Sequence, residues 1–308
     1  MRSKRGGALG SLEGRRILIT GASSGIGREA ARLMAARGAR LAVVARRLDA
    51  LSSLAREIAA GGHPEPVPLA ADLGQRGVAA GVAAKAREAL GGIDALVNNA
   101  GASIQGLGWV VGDDAEGRSV FETNLWSPLA LTAAVAPEMI ARGDGVIVNT
   151  GSMVQVSPFP HLGHYSASRA ALALMTQALS LELAPRGVRV VELALGVVDT
   201  AGSTENRVLR GGAQWLDGWP GAGELDEAAR ALVKAVEGPA HGAVFYPSLM
   251  RWVHRFPGLG RRRARQAARR TDLTDTTVRV GGSSGTEDIR AARERWEREH
   301  AAPPGAGR

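Results

Sequence analysis

The chain has 308 residues, of which 45% are hydrophobic and 22% are charged. This length and composition suffice for one large α/β domain with a substantial buried core and a short extension. The chain contains no cysteine, which excludes disulfide bonds, thiolate nucleophiles and cysteine-ligated zinc. The six histidines show no metal-ligand spacing, so we expect no metal site.

The net charge of +8 is concentrated at the two ends of the chain. Residues 1–16 contribute +4 and residues 251–308 contribute +7, which leaves residues 17–250 with a net charge of −3. A basic body that binds nucleic acid is therefore excluded. Because the basic N-terminus precedes no sustained apolar segment and no stretch reaches the length of a membrane span, we expect a cytoplasmic protein.

Strand and helix patterns alternate along most of the chain, which is typical of a parallel sheet covered by helices. Apolar runs predict strands at 17–20, 41–45, 67–70, 94–98, 145–150, 188–194 and 242–246. Helical patterns fall at 26–37, 48–60, 76–90, 118–141 and 164–185. We therefore predict an α/β fold with a doubly wound, parallel, seven-stranded sheet of the Rossmann type and helices on both faces.

The same patterns divide the chain into parts. We predict a basic N-terminal tail at 1–13, a Rossmann-type dinucleotide-binding and catalytic domain at 14–247, and a basic C-terminal extension with patchy structure at 248–308. The glycine-rich segment 201–223 follows a strand and carries Trp215 and Trp219. Long irregular segments at this place in an α/β fold are candidate substrate lids.

A glycine-rich turn directly follows the first predicted strand and precedes a helix. Gly21 permits the tight turn, Gly25 lets the backbone approach a pyrophosphate, and Gly27 allows close helix packing. This order predicts a dinucleotide site at the helix N-terminus, and the alternative is an ordinary glycine-rich turn between strand and helix. The residues assigned to the cofactor here are Gly21, Ser23, Ser24, Gly25, Ile26 and Gly27.

Two arginines, Arg46 and Arg47, stand at the end of the second predicted strand. An NAD-specific site would place an acidic residue there to bind the ribose 2′-hydroxyl, whereas arginine suits a 2′-phosphate. The sequence therefore favours NADP(H) over NAD(H), with Ser23 and Ser24 as additional hydroxyl donors. An exposed arginine pair without this role is the alternative in an arginine-rich chain.

A hydroxyl, a phenol and a fixed cation follow at Ser152, Tyr165 and Arg169. Tyr165 and Arg169 are four residues apart, so they share one face of a helix. A phenol ionises only near pH 10, and a nearby positive charge favours the phenolate, which makes the group usable in proton transfer at neutral pH. Ser152 follows a strand, where its hydroxyl can polarise a substrate carbonyl. The three residues predict proton donation to a carbonyl oxygen.

Over residues 14–247, these motifs resemble the short-chain dehydrogenase/reductase family. The resemblance implies that Asn124 joins the catalytic group, where it holds a helix distortion and a proton-relay water. It also implies that Asp72 contacts the adenine amino group and that the backbone of 99–101 lines a ribose. Further cofactor contacts implied by the resemblance are Leu73, Asn99, Ala100, Gly101, Tyr165, Arg169, Val198 and Thr200.

The sequence departs from the family at position 169, where the tyrosine motif usually ends in lysine and this chain has Arg169. Arginine keeps the positive charge and can still donate to a ribose hydroxyl, but it is bulkier and effectively never deprotonated. One interpretation is retained activity in a chain with three lysines and 35 arginines. The other is a protein that binds NADP(H) without turnover.

The sequence predicts an NADP(H)-dependent oxidoreductase that interconverts a carbonyl and an alcohol on a small, apolar substrate. Trp109 and the two tryptophans of the predicted lid suggest an apolar pocket, and a place in the core or in an interface is the alternative for these rings. The resemblance implies a homodimer or homotetramer. In a further alternative the chain is an interaction module whose basic tail binds an anionic surface or nucleic acid, although few aromatics accompany its arginines.

Overall fold

The structure, a computed structural model, describes residues 12–157, 159–198, 223–269, 273–274 and 278–282. Its strands are β1 (Arg16–Thr20), β2 (Arg40–Ala45), β3 (Val67–Ala70), β4 (Ala95–Asn98), β5 (Ala102–Gln105), β6 (Gly145–Ser152), β7 (Val188–Leu195), β8 (Gly242–Tyr246) and β9 (Arg279–Gly282). Its α-helices are α1 (Gly25–Ala35), α2 (Leu48–Ala60), α3 (Val78–Leu90), α4 (Gly108–Val111), α5 (Ala115–Phe121), α6 (Ser127–Arg142), α7 (Gly163–Leu183), α8 (Leu225–Glu237), α9 (Met250–Arg255) and α10 (Pro257–Ala268).

Seven strands form one sheet in the order β3-β2-β1-β4-β6-β7-β8, and each neighbouring pair is parallel. The order reverses between β1 and β4, because the chain crosses from β3 at one edge back to the middle of the sheet. In a doubly wound fold, the carboxyl ends of the strands at such a reversal open into a crevice that binds ligands. The predicted fold is confirmed.

Apolar side chains of the central strands alternate between two buried layers. Ile17 and Ile19 of β1 pack against α1, α2 and α8, whereas Leu18 packs in the other layer against α3 and α6. All three side chains are completely buried. Strands buried on both faces read as continuous apolar runs, which explains why the sequence identified the five inner strands, whereas the edge strands β3 and β8 are only partly buried.

The predicted helix at 118–141 is confirmed, and it contains a distortion that its periodicity did not predict. Helix α5 ends at Phe121, and a π-helical turn at Glu122–Trp126 continues it directly into α6. A π turn inserts one extra residue into the helical repeat and often marks a functional site. Neither β5 nor α4 was predicted, since each has only four residues and no clear periodicity.

The arginine-rich region beyond Pro247 contains α9, α10 and β9, which is more regular structure than its composition predicts. Strand β9 pairs antiparallel with β5, so the end of the described chain returns to the segment after β4. Met250 of α9 is completely buried. Residues 201–222 of the candidate lid, with Trp215 and Trp219, lie outside the described residues, as does the N-terminal tail up to residue 11. The division into domains stays a prediction.

Within the part of the chain that the structure describes, no helix is long and apolar enough to cross a membrane.

Candidate active site

The residues singled out in the sequence gather at the carboxyl edge of the central sheet. The glycine turn follows β1, Asp72 follows β3, and the segment 99–101 follows β4. Ser152 is the last residue of β6, and Val198 follows β7, where it is buried and bridges to Gly223. Thr200 lies outside the described residues. Parallel strands bring these segments together because all their carboxyl ends meet at the same edge.

The conformation of the glycine turn requires residues without side chains. Gly21 has a φ of +72° and Gly25 a φ of +57°, both in the left-handed region that favours glycine. A Cβ atom on Gly27 would overlap the carbonyl oxygen of Gly21. The N-cap residue Ser24 makes no side-chain hydrogen bond to the first turn of α1. The first backbone N–H groups of α1 therefore have no side-chain cap, and a helix N-terminus of this kind can bind an anion.

A single hydroxyl joins the ends of β1 and β4. Thr20 Oγ1 accepts hydrogen bonds from the backbone N–H groups of Asn99 and Ala100, both at 3.0 Å. In return, Asn99 Nδ2 donates to the carbonyl oxygen of Thr20 at 3.1 Å. These bonds hold the 99–101 segment directly beside the glycine turn.

The two arginines after β2 have different surroundings. Arg46 is exposed, whereas Arg47 is partly buried and its Nη2 donates to Ser23 Oγ at 3.3 Å. The Nε of Arg47 is buried without a hydrogen-bond partner among the described residues. Asp72 accepts a hydrogen bond from the N–H of Gly74 at 3.0 Å, and Leu73 is buried beneath it.

The carboxamide of Asn124 is completely buried in the π turn and makes three hydrogen bonds. Its Oδ1 accepts from the N–H of Ala102 at 2.9 Å, and its Nδ2 donates to the carbonyl of Ala102 at 2.8 Å. The same Nδ2 donates to Ser168 Oγ at 3.0 Å, and that hydroxyl donates to the carbonyl of Tyr165 at 2.9 Å. Asn124 thus connects the π turn to β5 and to the start of α7.

Tyr165 and Arg169 are one turn apart near the start of α7, and the guanidinium carbon lies 5.5 Å from the centroid of the phenol ring. Arg169 is only 5% exposed, and its Nη1 donates to the carbonyl of Thr150 at 3.0 Å. A Cβ on Gly101 would overlap Arg169 Nη2. The Nε atom of Arg169 is buried and has no hydrogen-bond partner in the described part of the chain. The cation is therefore held between the phenol ring, β6 and the 99–101 segment.

Ser152 caps a short 3₁₀ turn at Met153–Gln155 through reciprocal bonds with Gln155. The backbone N–H of Ser152 donates to Gln155 Oε1 at 3.2 Å, and Gln155 Nε2 donates to Glu192 Oε1 at 2.6 Å. Glu192 is 2% exposed, and its Oε2 has no hydrogen-bond partner among the described residues. The sequence analysis did not identify Gln155 or Glu192. The capping-box spacing of Ser152 and Gln155 could have indicated Gln155, and no sequence pattern indicates Glu192.

Burial raises the pKa of the Glu192 carboxyl above its usual range, and the hydrogen bond from Gln155 and the charge of His254 offset only part of that rise. Gly151 lies so close to the carboxyl that a Cβ there would sit 2.6 Å from Glu192 Oε1. Glu192 thus supports the segment that carries Ser152 in a dry environment that favours the neutral carboxylic acid.

Comparison with known proteins identifies the family of this chain. Residues 15–208 match the family described as short chain dehydrogenase. The chain therefore belongs to the short-chain dehydrogenase/reductase family. A metagenomic short-chain oxidoreductase in complex with NADP superimposes with a TM-score of 0.64 and 31% identity, covering 76% of this chain and 97% of that one. A protein from Sinorhizobium meliloti, assigned as a short-chain alcohol dehydrogenase, gives a TM-score of 0.70 and 30% identity over 79% of this chain and 98% of that one.

Two curated relatives illustrate the sequence similarity. Dehydrogenase/reductase SDR family member 7B of Bos taurus is 36% identical over 189 residues, which make up 60% of this chain and 58% of that protein. Ketoacyl reductase HetN of a Nostoc species is 33% identical over 228 residues, covering 74% of this chain and 77% of that protein. The matched part of the chain thus spans little more than half the length of the bovine relative.

The buried carboxyl of Glu192 predicts a pH-dependent stability. The folded state holds the proton of the Glu192 carboxyl more tightly than the unfolded chain does. Protonation of Glu192 therefore contributes fully to the stability of the fold below the pKa of the unfolded state, and this contribution is lost as the pH rises through the raised pKa of the folded state. Glu192→Gln keeps the shape and the bond from Gln155 but cannot ionise. Its melting temperature should exceed that of wild type by a few degrees at about pH 8 and match it near pH 4.

The control is Glu182→Gln on the exposed surface of α7, which should change the melting temperature equally at both pH values. A Glu192→Gln protein that melts below wild type at the higher pH would show that the ionised carboxylate stabilises the fold.

Proposed function

We propose that this chain is an NADP(H)-dependent oxidoreductase that interconverts a carbonyl and an alcohol on a small, apolar substrate. The observation that carries the proposal is the grouping of Tyr165, Arg169 and Ser152 at the carboxyl edge of the sheet, beside the glycine turn at the start of α1. Phe159 and Leu162 form a small apolar cluster against which Tyr165 packs, and this supports an apolar substrate.

Unsatisfied donors in the site fit a dinucleotide. The Nε atoms of Arg47 and Arg169 are buried and have no partner among the described residues, although buried donors are nearly always bonded. Arg47 adjoins the glycine turn through Ser23, where a 2′-phosphate or a pyrophosphate oxygen would satisfy it. Arg169 adjoins Gly101, where a ribose hydroxyl would accept the missing hydrogen bond. The uncapped N-terminus of α1 suits the pyrophosphate.

Each catalytic residue then has a separate task. A nicotinamide, when bound, supplies or accepts the hydride at the carbonyl carbon. The hydroxyl of Ser152 donates a hydrogen bond to the carbonyl oxygen, and the phenol of Tyr165 gives that oxygen its proton or takes it back. The charge of Arg169 stabilises the phenolate that remains. Asn124 positions the other groups, since its carboxamide is occupied by Ala102 and Ser168.

The alternative function is NADP(H) binding without turnover. Arg169 favours it, because the guanidinium is fixed on the carbonyl of Thr150 and cannot release a proton as an ammonium can. The two functions make the same prediction for cofactor binding and opposite predictions for the rate of the wild-type protein.

The proposal extends to assembly and place of action. We place the enzyme in the cytoplasm as a homodimer or homotetramer, with 248–308 as an extension of the catalytic domain. Leu174 and Leu181, seven residues apart on one side of α7, are 68% and 79% exposed, which supports burial of this helix face against a second copy. Trp109, which the sequence analysis assigned to an apolar pocket, is 77% exposed and supports that assignment only weakly.

The first prediction concerns cofactor preference. Arg46→Ala should weaken NADPH binding by about 1.5 to 3 kcal/mol and leave NADH binding nearly unchanged, because only NADPH carries the 2′-phosphate. Isothermal titration calorimetry measures both affinities. The matched control is Arg56→Ala, which removes another exposed arginine, from α2. Equal losses for the two cofactors would contradict the assignment of Arg46.

The second prediction concerns the phenol. Tyr165→Phe keeps the ring that packs against Phe159 and Leu162 but removes the hydroxyl. Turnover should fall by about 10² to 10⁴, the usual contribution of general acid–base catalysis, while NADPH affinity stays within a few-fold. Tyr246→Phe is the control, because Tyr246, the only other tyrosine, bonds Glu227 Oε2 at 2.8 Å. A Tyr165→Phe enzyme with most of its rate would remove this residue from the mechanism.

The third prediction concerns the cation. Arg169→Met should weaken NADPH binding and slow turnover together, because the charge and its hydrogen-bond donors vanish. Arg169→Lys separates the two functions. If the protein is an enzyme, wild type turns over and lysine changes the rate modestly; if it only binds cofactor, wild type is silent and lysine restores turnover. An Arg169→Met protein with wild-type binding and rate would contradict both.

A further inference from the structure

The surface formed by α9 and α10 carries an unbalanced positive charge. Residues 248–269 contain seven arginines and no aspartate or glutamate. Six of these arginines have described side chains, and all six are exposed: Arg251, Arg255, Arg261, Arg262, Arg265 and Arg269. Without neighbouring acids in this segment, the charge is available to an anionic partner.

Large apolar side chains of the same segment are also exposed. Trp252 is 59% exposed and Phe256 is 50% exposed, and their rings stack with centroids 5.9 Å apart and planes within 4°. Their spacing of four residues puts them in one row at the C-terminal end of α9, and Arg251 and Arg255 have the same spacing one residue earlier. Leu249, just before the helix, is 44% exposed. Two aromatic rings in water beside a leucine form an apolar patch with no cover from the described chain.

The opposite surface of these helices is fixed on the domain. Met250 is completely buried, and the His254 ring lies 5.0 Å from that of Phe245 at the end of the sheet. On α10, a Cβ at Gly260 would overlap Ser157 Oγ, and Ala264 packs with Phe159 and Leu162. The outward direction of the arginines is therefore set by packing, and α10 forms a wall of the cluster that includes Tyr165.

We propose that this basic-aromatic face, made of Leu249, Trp252, Phe256 and the six exposed arginines, docks on an anionic lipid surface. Tryptophan and phenylalanine enter the boundary between headgroups and acyl chains, while arginines pair with lipid phosphates. Nucleic acid fits less well, because Trp252 and Phe256 stack on each other instead of presenting separate rings to successive bases.

Docking has a consequence for the substrate class. The helix that faces the lipid on one side contacts the cluster containing Tyr165 on the other. The bound enzyme thus receives its carbonyl or alcohol from the lipid phase. This consequence rests on the proposed function, whereas the docking itself does not.

The test is sedimentation of the full-length protein with vesicles of phosphatidylcholine, with or without phosphatidylglycerol. Wild type should sediment with the anionic vesicles, dissociate from them at high salt and not bind the neutral vesicles. Trp252→Ser with Phe256→Ser should abolish most of the binding. Arg261→Gln with Arg262→Gln and Arg265→Gln should lower the partition coefficient at least about thirtyfold.

Matched controls come from other surfaces. Trp109→Ser removes an exposed tryptophan from α4, and Arg56→Gln with Arg118→Gln removes exposed arginines from α2 and α5. Both control proteins should bind anionic vesicles as wild type does. Melting temperatures within a degree or so of wild type would show that each variant is folded.

Three results would overturn the docking proposal. They are no binding of wild type to anionic vesicles, an equal loss in the control variants, and undiminished binding by the protein with Trp252→Ser and Phe256→Ser. Turnover of a water-soluble carbonyl is measured separately. A protein that binds vesicles but turns over no carbonyl would refute the proposed function and leave the docking face standing.

Discussion

The buried carboxamide of Asn124 holds together three segments on which the geometry of the site depends. It pairs with both backbone groups of Ala102, as a neighbouring strand would, and it also reaches Ser168 on α7. The π turn makes this possible because its extra residue changes the direction in which the side chain points. Loss of the carboxamide would leave the partly buried N–H and C=O of Ala102 without these hydrogen bonds and remove this link between β5 and α7.

The position of the cation follows from that framework. Gly101, which directly precedes β5, leaves the space that Arg169 Nη2 occupies. The carbonyl of Thr150 on β6 accepts from Nη1, so the guanidinium has a fixed distance from the phenol ring. The guanidinium is planar and carries five donors, so it can bond the backbone through Nη1 and still leave Nε without a partner among the described residues. The ammonium of a lysine is a single compact charge on a flexible stem and has no such second, fixed donor nitrogen. The fold thus provides both the space and a hydrogen-bond acceptor for the arginine side chain.

Most of the fold could be predicted from the sequence, and the reason lies in the strands. Continuous apolar runs such as 145–150 are buried on both faces, and glycine turns and polar residues follow them at the carboxyl edge. The rest depends on contacts that are distant in the chain. Strand β5 has four residues and pairs with β9 far along the sequence. Helix α10 docks through Gly260 and Ala264, whose small size leaves no apolar periodicity to detect.

The proposed function requires that Ser152, Tyr165 and Arg169 support hydride transfer to or from a carbonyl and not only cofactor binding. The direct measurement is single-turnover reaction of the wild-type protein with NADPH labelled with deuterium on the nicotinamide, using a panel of apolar ketones and aldehydes. Deuterium should move to the carbinol carbon of at least one product. Saturable NADPH binding with no transfer of the label to any carbonyl would contradict it.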